Sequence, residues 1–341
     1  MRRVTIKDIA KLAGVSYSTV SRALSGSTEI SEATRERIRK ICEEQGYHTN
    51  ALARGLSNNR TNILGLIIPD ITNPFFSELS HEIERMAHKN NYKLMLCNYC
   101  FEDVSVESLF DFLIGHQVEG IFYAGTGNNA AEITTRFSRT LPVVLLGDSF
   151  YESDIEEIRT VSMDNFIGGY MAANHLLALG HRHITYIGFR SASISHQHRY
   201  QGFQAAMDKA GISFETVENR KDSSSIDEGY SLGKKYFSEP LRSTALFCAT
   251  DTIALGVMKA ADEAGIAIPE EISLMGYDNI VYSSLPKIML STVDQNKKKI
   301  AENAMALMLE SMENPESTRG KHIITQPKLV KRKSTTVLRQ K

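Results

Sequence analysis

Cysteine is scarce in this chain: four residues in 341, at Cys42, Cys97, Cys100 and Cys248. They are too few and too scattered for a disulfide framework in a chain of this length, and such usage suits a reducing compartment. Long apolar runs are missing too. No stretch approaches the roughly eighteen residues that a membrane helix needs, and the basic start MRRVTIKDIAK leads into no hydrophobic segment of the signal-peptide kind. A cytoplasmic location is the expectation. There is no low-complexity tract and 42% of the residues are apolar, so the chain should be globular, with two or three domains. Catalytic clusters are lacking as well. Cys97-x-x-Cys100 has no second CxxC or HxxxH pair beside it, and on a strand residues i and i+3 face opposite ways, so packing is the expected role. No metal and no cofactor is expected.

The net charge of -1 hides an asymmetry. Residues 1 to 60 carry eleven Lys or Arg against six Asp or Glu, and the remainder carries 28 against 34. A small basic head on an acidic body suits a head that meets a polyanion.

Within the head, Thr5 reads as a helix N-cap with Asp8 at the capping-box position, and Ile6, Ile9, Ala10 and Ala13 follow at helical spacing. Gly14 stops that helix. Ser16 caps a second one, whose buried face is Val20 and Leu24, and Ser31 begins a third, with Thr34, Ile38 and Ile41 on one stripe up to Gly46. From Ile63 the texture changes. Short β-rich runs (ILGLIIPD, YKLMLCNY, VEGIFYAG, PVVLLGD, HITYIGF, TALFCATD, EISLMGYD) alternate with amphipathic helices such as FFSELSHEIERMAHKN and RYQGFQAAMDKAG. That alternation predicts an α/β body of two doubly wound parallel sheets, whose ligands bind beyond the carboxyl ends of the strands. The segment HTNALARGLSNNRT, between head and body, is small and polar, and long enough for a short helix and a linker.

Two helices joined by a tight turn, with a third packed across them, form a helix-turn-helix. With Val20 and Leu24 turned to the core, Tyr17, Ser18 and Arg22 lie on the outer, N-terminal part of the second helix, the part that reaches base edges in a major groove. Arg22 suits a bidentate bond to guanine. Ser16 and Ser21 are small enough for close approach and suit phosphate oxygens, with Thr5 and Thr19 as further candidate contacts.

The run TIKDIAKLAGVSYSTVSRALSG, then TRERIRKICEEQGY and NALARGL, closely resembles the N-terminus of the LacI/GalR transcription regulators. Further motifs extend the resemblance along the whole chain: IIPDITNPFFSEL, QVEGIFY, VSMDNFIGGYMAANHLLALGHRHITYIG, RYQGFQAAM, IPEEISLMGYDN and LVKRKST. It implies a DNA-binding regulator, expected to be a repressor and not an enzyme, working as a homodimer on a near-palindromic operator. It also implies a hinge helix in the operator's minor groove, with Asn50 and Ala53 at the groove and Leu56 as the wedge between base pairs. Thr49 stands where the family usually has proline, and Gly55 weakens the helix further, so this segment should fold only with DNA and a partner hinge.

For the body, the resemblance implies a two-lobed periplasmic-binding-protein-like core with three crossovers and a small-molecule effector in the cleft. The division expected is 1–46 for the helix-turn-helix, 47–60 for hinge and linker, and 61–341 for the core. Within the core, the N-terminal lobe is expected over about 61–160 and 291–320, and the C-terminal lobe over about 161–290 and 321–341. The cleft positions carried over are Asn73, Phe75, Arg199 and Asp278, joined by Asp148, Asp251, Ser193 and His196 at strand ends or in the loop before Arg199. An aromatic face with an arginine fork and a carboxylate favours a sugar or sugar derivative over a purine.

Two other readings fall away. GTGNNA at 125–130 matches a dinucleotide-binding pattern, with Asp148 following, but it ends the third strand of the body rather than the first. A secreted sugar-binding protein would share the body, yet it would have a signal peptide and no basic head. The dimer surface is expected to use FFSELSHEIERMAHKN, and the stripe Met305, Met308 and Met312 also needs burial.

Overall fold

The structure is a computed structural model that describes residues 4–24, 29–47, 60–99, 104–125, 127, 129–147, 158–219 and 224–338. The chain divides into two compact units, Met1–Asn62 and Ile63–Lys341.

In the first unit α1 (Ile6–Ala13), α2 (Tyr17–Leu24) and α3 (Glu32–Glu44) form the head. Thr5 and Asp8 make a reciprocal capping box, which satisfies two of the amides that a helix start leaves open. Gly14 ends α1 at φ 62°, a left-handed conformation that glycine adopts without a Cβ penalty, and its N–H returns to the carbonyls of Ala10 and Lys11. Ile9, Ala13, Val20, Ala23, Ile38 and Cys42 form the core. Ala23 and Cys42 are the buried members where Leu24 and Ile41 were expected; those two pack half-buried at the margin. The hinge candidates Asn50, Ala53 and Leu56 lie outside the described residues.

Among its described residues the second unit holds two parallel sheets and a short antiparallel pair. The first, all parallel, has the order β2-β1-β3-β4-β5-β11, with β1 (Ile63–Ile68), β2 (Lys93–Asn98), β3 (Gly120–Tyr123), β4 (Val143–Leu146), β5 (Arg159–Met163) and β11 (His322–Thr325). On one face lie α4 (Pro74–Lys89) and α11 (Lys297–Glu313), burying Leu79, Ile83, Ala304 and Met308. On the other lie α5 (Val106–Gly115) and α6 (Ala130–Ser138), burying Phe110, Leu113 and Phe137. The second sheet is also parallel, in the order β7-β6-β8-β9: β6 (Ile184–Phe189), β7 (Glu215–Glu218), β8 (Ala245–Cys248) and β9 (Ser273–Met275). Here α7 (Asn165–Ala178) and α8 (Ile194–Lys209) cover one face, and α9 (Ile226–Phe237) and α10 (Asp251–Glu263) the other. A short antiparallel pair, β10 (Thr292–Asp294) with β12 (Lys328–Val330), packs Val293 and Leu329 onto the core of the second lobe.

The chain therefore passes between lobes three times: after β5, between β10 and α11, and between β11 and β12. The lobe boundaries need correction. Residues 322–325, expected in the C-terminal lobe, complete the first sheet beside β5, and residues 292–294, expected in the N-terminal lobe, belong with the second. Strands of three or four residues are too short for an alternating pattern to assign them a sheet. Met305 and Met308 are buried within the first lobe, so that stripe is core and needs no partner chain.

Helices α7 and α8 approach so closely that a Cβ on Gly169 would meet the Arg199 backbone, and one on Gly202 the Phe166 backbone. Alanine in a helix ordinarily gains about 1 kcal/mol over glycine. Here Gly202→Ala is expected to destabilise the body instead, by about 1–3 kcal/mol through overpacking. Urea denaturation of the two proteins checks the sign.

Candidate functional site

The outer side of α2 carries the first set of candidates. Ser16 is its N-cap: Oγ accepts the Thr19 N–H at 3.1 Å and lies 2.7 Å from Ser18 Oγ and 2.8 Å from Thr19 Oγ1. Thr5 likewise works as a cap, for α1. Tyr17 is 55% exposed, and Ser18 and Arg22 are exposed beside it, while Thr19 and Ser21 are half-buried. Arg22 donates to Glu29 at 2.7 Å. Both side chains are well exposed, so this pair contributes at most about 1 kcal/mol and yields readily to a better acceptor.

The second set surrounds a cavity of about 660 Å³ between the lobes of the body, beyond the carboxyl ends of both sheets. From the first lobe come Asn73, Phe75 and Phe76 at the start of α4, with Tyr99, Tyr123 and Gly125. Asn73 caps α4 by accepting the Phe75 N–H at 3.0 Å, and this aims Phe75 at the cavity. From the second lobe come Ser193, His196 and Arg199, on or just before α8, and Asp278 after β9; Asn165 and Gln295 line it at the crossovers. Gly127 and Ser193 pair across the lobes in a single β-bridge.

Arg199 is 3% exposed. Its guanidinium lies 3.4 Å from the Tyr277 ring centroid, donates to the Ala249 carbonyl and to Asn165 Oδ1 (3.0 Å), and sits 4.0 Å from Asp278. Its Nε is buried without a hydrogen-bond partner among the described residues, as is His196 Nδ1. Burial pushes the His196 pKa well below the ordinary value, helped by Arg199 and Arg190 and opposed by a hydrogen bond to Gly188. The ring is therefore neutral near pH 7 and carries a single N–H, and its Nδ1 has no hydrogen-bond partner among the described residues. Asp278 accepts from Gln295, and its pKa is raised to about 6 by burial, with Arg199, Gln295 and Lys297 working against that rise. Its φ of 112° is a conformation that few non-glycine residues adopt.

Of the positions predicted for the cleft, Asn73, Phe75, Ser193, His196, Arg199 and Asp278 come together around the cavity. Asp148 lies outside the described residues. Asp251 must be corrected: it is fully buried away from the cavity and accepts from the Ile280 N–H (2.9 Å), Ser283 Oγ (2.5 Å) and Thr292 Oγ1 (2.6 Å). It is an anchor between α10, the turn after β9 and β10. Sequence reasoning missed Gln295, Asn165, Phe76, Tyr99 and Tyr123. Gln295 lies in a crossover without periodicity, and Phe76 also packs on the core of the first lobe, which is the role its helical spacing announces. Cys97 is buried in that lobe, and Cys100 lies outside the described residues. No helix is long and apolar enough to cross a membrane among the described residues.

A profile of bacterial regulatory proteins of the lacI family matches residues 5–50, and one of periplasmic binding protein-like domains matches 173–335. The HTH-type transcriptional repressor PurR of Pasteurella multocida is 31% identical over 97% of this chain and 98% of its own length. The ribose operon repressor of Haemophilus influenzae is 32% identical over 97% and 98%. The chain belongs to the LacI family. It is a DNA-binding transcriptional repressor and not an enzyme. A crystal structure of the lac repressor dimer bound to operator and an anti-inducer shares the fold, with a TM-score of 0.83, 24% identity, and coverage of 98% of this chain and 100% of that one.

Burial raises the Asp251 pKa to about 7, with the Asp278 charge adding to the shift and its three hydrogen bonds opposing it. A carboxyl whose folded pKa exceeds its unfolded value contributes stability below the unfolded value, and loses it as pH rises through the folded one. The stability of the wild type relative to Asp251→Asn is therefore expected to fall as pH rises from about 4 to about 7. Thermal melts across that range test it; a wild type that gains stability relative to the variant as pH rises contradicts it.

Proposed function

We propose that this LacI-family repressor acts as a homodimer on a near-palindromic operator, and that a small polar metabolite of the sugar class, bound in the cleft of the body, controls that binding. The observation that carries the effector reading is the pair of buried, unpartnered polar atoms, His196 Nδ1 and Arg199 Nε, at one cavity with the Asp278 carboxylate. An unmet buried polar group costs about 1–3 kcal/mol, so such groups are retained where a ligand meets them. An imidazole nitrogen, a guanidinium N–H and a carboxyl group set close together suit neighbouring hydroxyls, each of which both donates and accepts. The aromatic side, Phe75, Phe76, Tyr99 and Tyr123, suits the apolar face of a sugar ring. The relative named as a ribose operon repressor agrees with this reading. In the head, Tyr17, Ser18 and Arg22 read bases while Ser16, Thr19, Ser21 and Thr5 face phosphates, and Asn50, Ala53 and Leu56 enter the minor groove. Effector and operator affinities are then linked reciprocally.

A thermal-shift screen with ribose, cellobiose, glucose 6-phosphate and hypoxanthine tests the effector class. Stabilisation of the wild type by a sugar and its loss in Arg199→Ala are expected. Stabilisation by hypoxanthine alone would replace the sugar reading with a nucleobase stacked on the aromatic side. On an operator selected from random DNA, Arg22→Ala is expected to cost about 1–3 kcal/mol and to relax preference at one base pair per half-site. A loss spread evenly over all sequences would make Arg22 a phosphate contact.

A further inference from the structure

Three lysines, Lys297, Lys298 and Lys299, open α11, and no acidic residue shares that first turn. Positive charge at a helix N-terminus opposes the macrodipole, so helix formation gives no reason for them. Lys297 is the buried member, with a side chain 11% exposed. Its Nζ donates across the cleft to the carbonyls of Asp278 (2.8 Å) and Asn279 (3.0 Å), and pairs with Glu78 Oε2 on α4 at 3.2 Å. Glu78 uses its other oxygen in the same direction: Oε1 accepts the Val281 N–H at 2.7 Å. Two first-lobe side chains, themselves an ion pair, thus hold the second-lobe segment 278–281 by three backbone groups.

That segment needs holding. Asp278 and Asn279 both have positive φ, 112° and 50°, and the first is a conformation that few non-glycine residues adopt. Arg332 grips it from the far side through Asn279 Oδ1 at 2.7 Å. The same helix start that carries Glu78 carries Phe75, whose ring centroid is 5.6 Å from Lys297 Nζ. The contacts therefore join the aromatic and the carboxylate sides of the cavity at its edge.

We propose that Lys297 and Glu78 are paired positioning residues, a charged clamp across the cleft that presents the Asp278 carboxylate to a bound effector. Presentation to an effector rests on the reading of the cavity given above; the clamp itself stands on the contacts. The charged groups around Asp278 are Arg199 on α8, Lys297 on α11, Glu78 on α4 and Asp251 on α10. Among these, Arg199 and then Lys297 favour the ionised carboxylate and Glu78 opposes it.

Two ligand-free measurements on the full-length chain test the clamp. The first is amide exchange by NMR at Val281, an exposed residue whose N–H is shielded by Glu78. Slow exchange is expected in the wild type, and exchange at least about tenfold faster in Glu78→Gln and Lys297→Met, a change equivalent to about 1.4 kcal/mol. The second is titration of the Asp278 carboxyl by carbon-13 NMR, assigned by its loss in Asp278→Asn. Lys297→Met is expected to raise the midpoint by about one unit, and Lys297→Arg to keep it near wild type. Fast Val281 exchange in the wild type overturns the clamp even if every variant fails to fold. An Asp278 midpoint unmoved in Lys297→Met overturns the positioning role. Neither readout uses a ligand, so failure of the sugar reading would show separately, in the thermal-shift screen.

Discussion

The body depends on one buried carboxylate. Asp251, at the first residue of α10, gathers the turn after β9 and the start of β10 through three hydrogen bonds. Those two segments carry Asp278 and Gln295 to the cavity and lead into the crossover to α11. A carboxyl so deeply placed is costly unless its hydrogen bonds are made. The position of the cavity's own carboxylate therefore follows from a residue that does not touch the cavity.

Around that anchor the cleft is built from two dissimilar sides. The first lobe supplies aromatic rings and small residues from strand and helix ends; the second supplies polar groups from α8 and from the turn after β9. Their bonding leaves His196 Nδ1 and Arg199 Nε buried without a partner among the described residues, where a matching ligand gains most. Because the two sides lie on different lobes, a ligand touching both senses their separation, and that makes such a cleft suited to control a head elsewhere in the chain.

Much of the architecture is legible from residues alone. Thr5, Asp8, Gly14 and Ser16 state where the head's helices begin and end, since capping and left-handed turns are local chemistry. The apolar strand runs and the amphipathic helices between them state the doubly wound body through their composition and period. What local pattern did not carry was mixed in polarity: β5, RTVSM, buries Arg159 through bonds to Thr318 and Pro315, and β7, β10, β11 and β12 (ETVE, TVD, HIIT and KLV) put polar residues among the apolar ones over three or four positions. Such segments become strands because a neighbour offers an edge.

The candidate site divides in the same way. The sequence by itself determined which helix presents Tyr17, Ser18 and Arg22, and which strand ends and helix starts deliver Asn73, Phe75, Arg199 and Asp278. Asp251 and Asp278 look alike at that level, each an aspartate just after a strand of the second sheet. Only the tertiary structure decided between them. At Asp278 the backbone takes a positive φ beside the cavity and Lys297 holds its carbonyl, whereas Asp251 opens a helix and meets three donors inside the lobe. Which way a strand-end carboxylate turns is set by the donors that packing brings to it, and those lie tens of residues away in the chain.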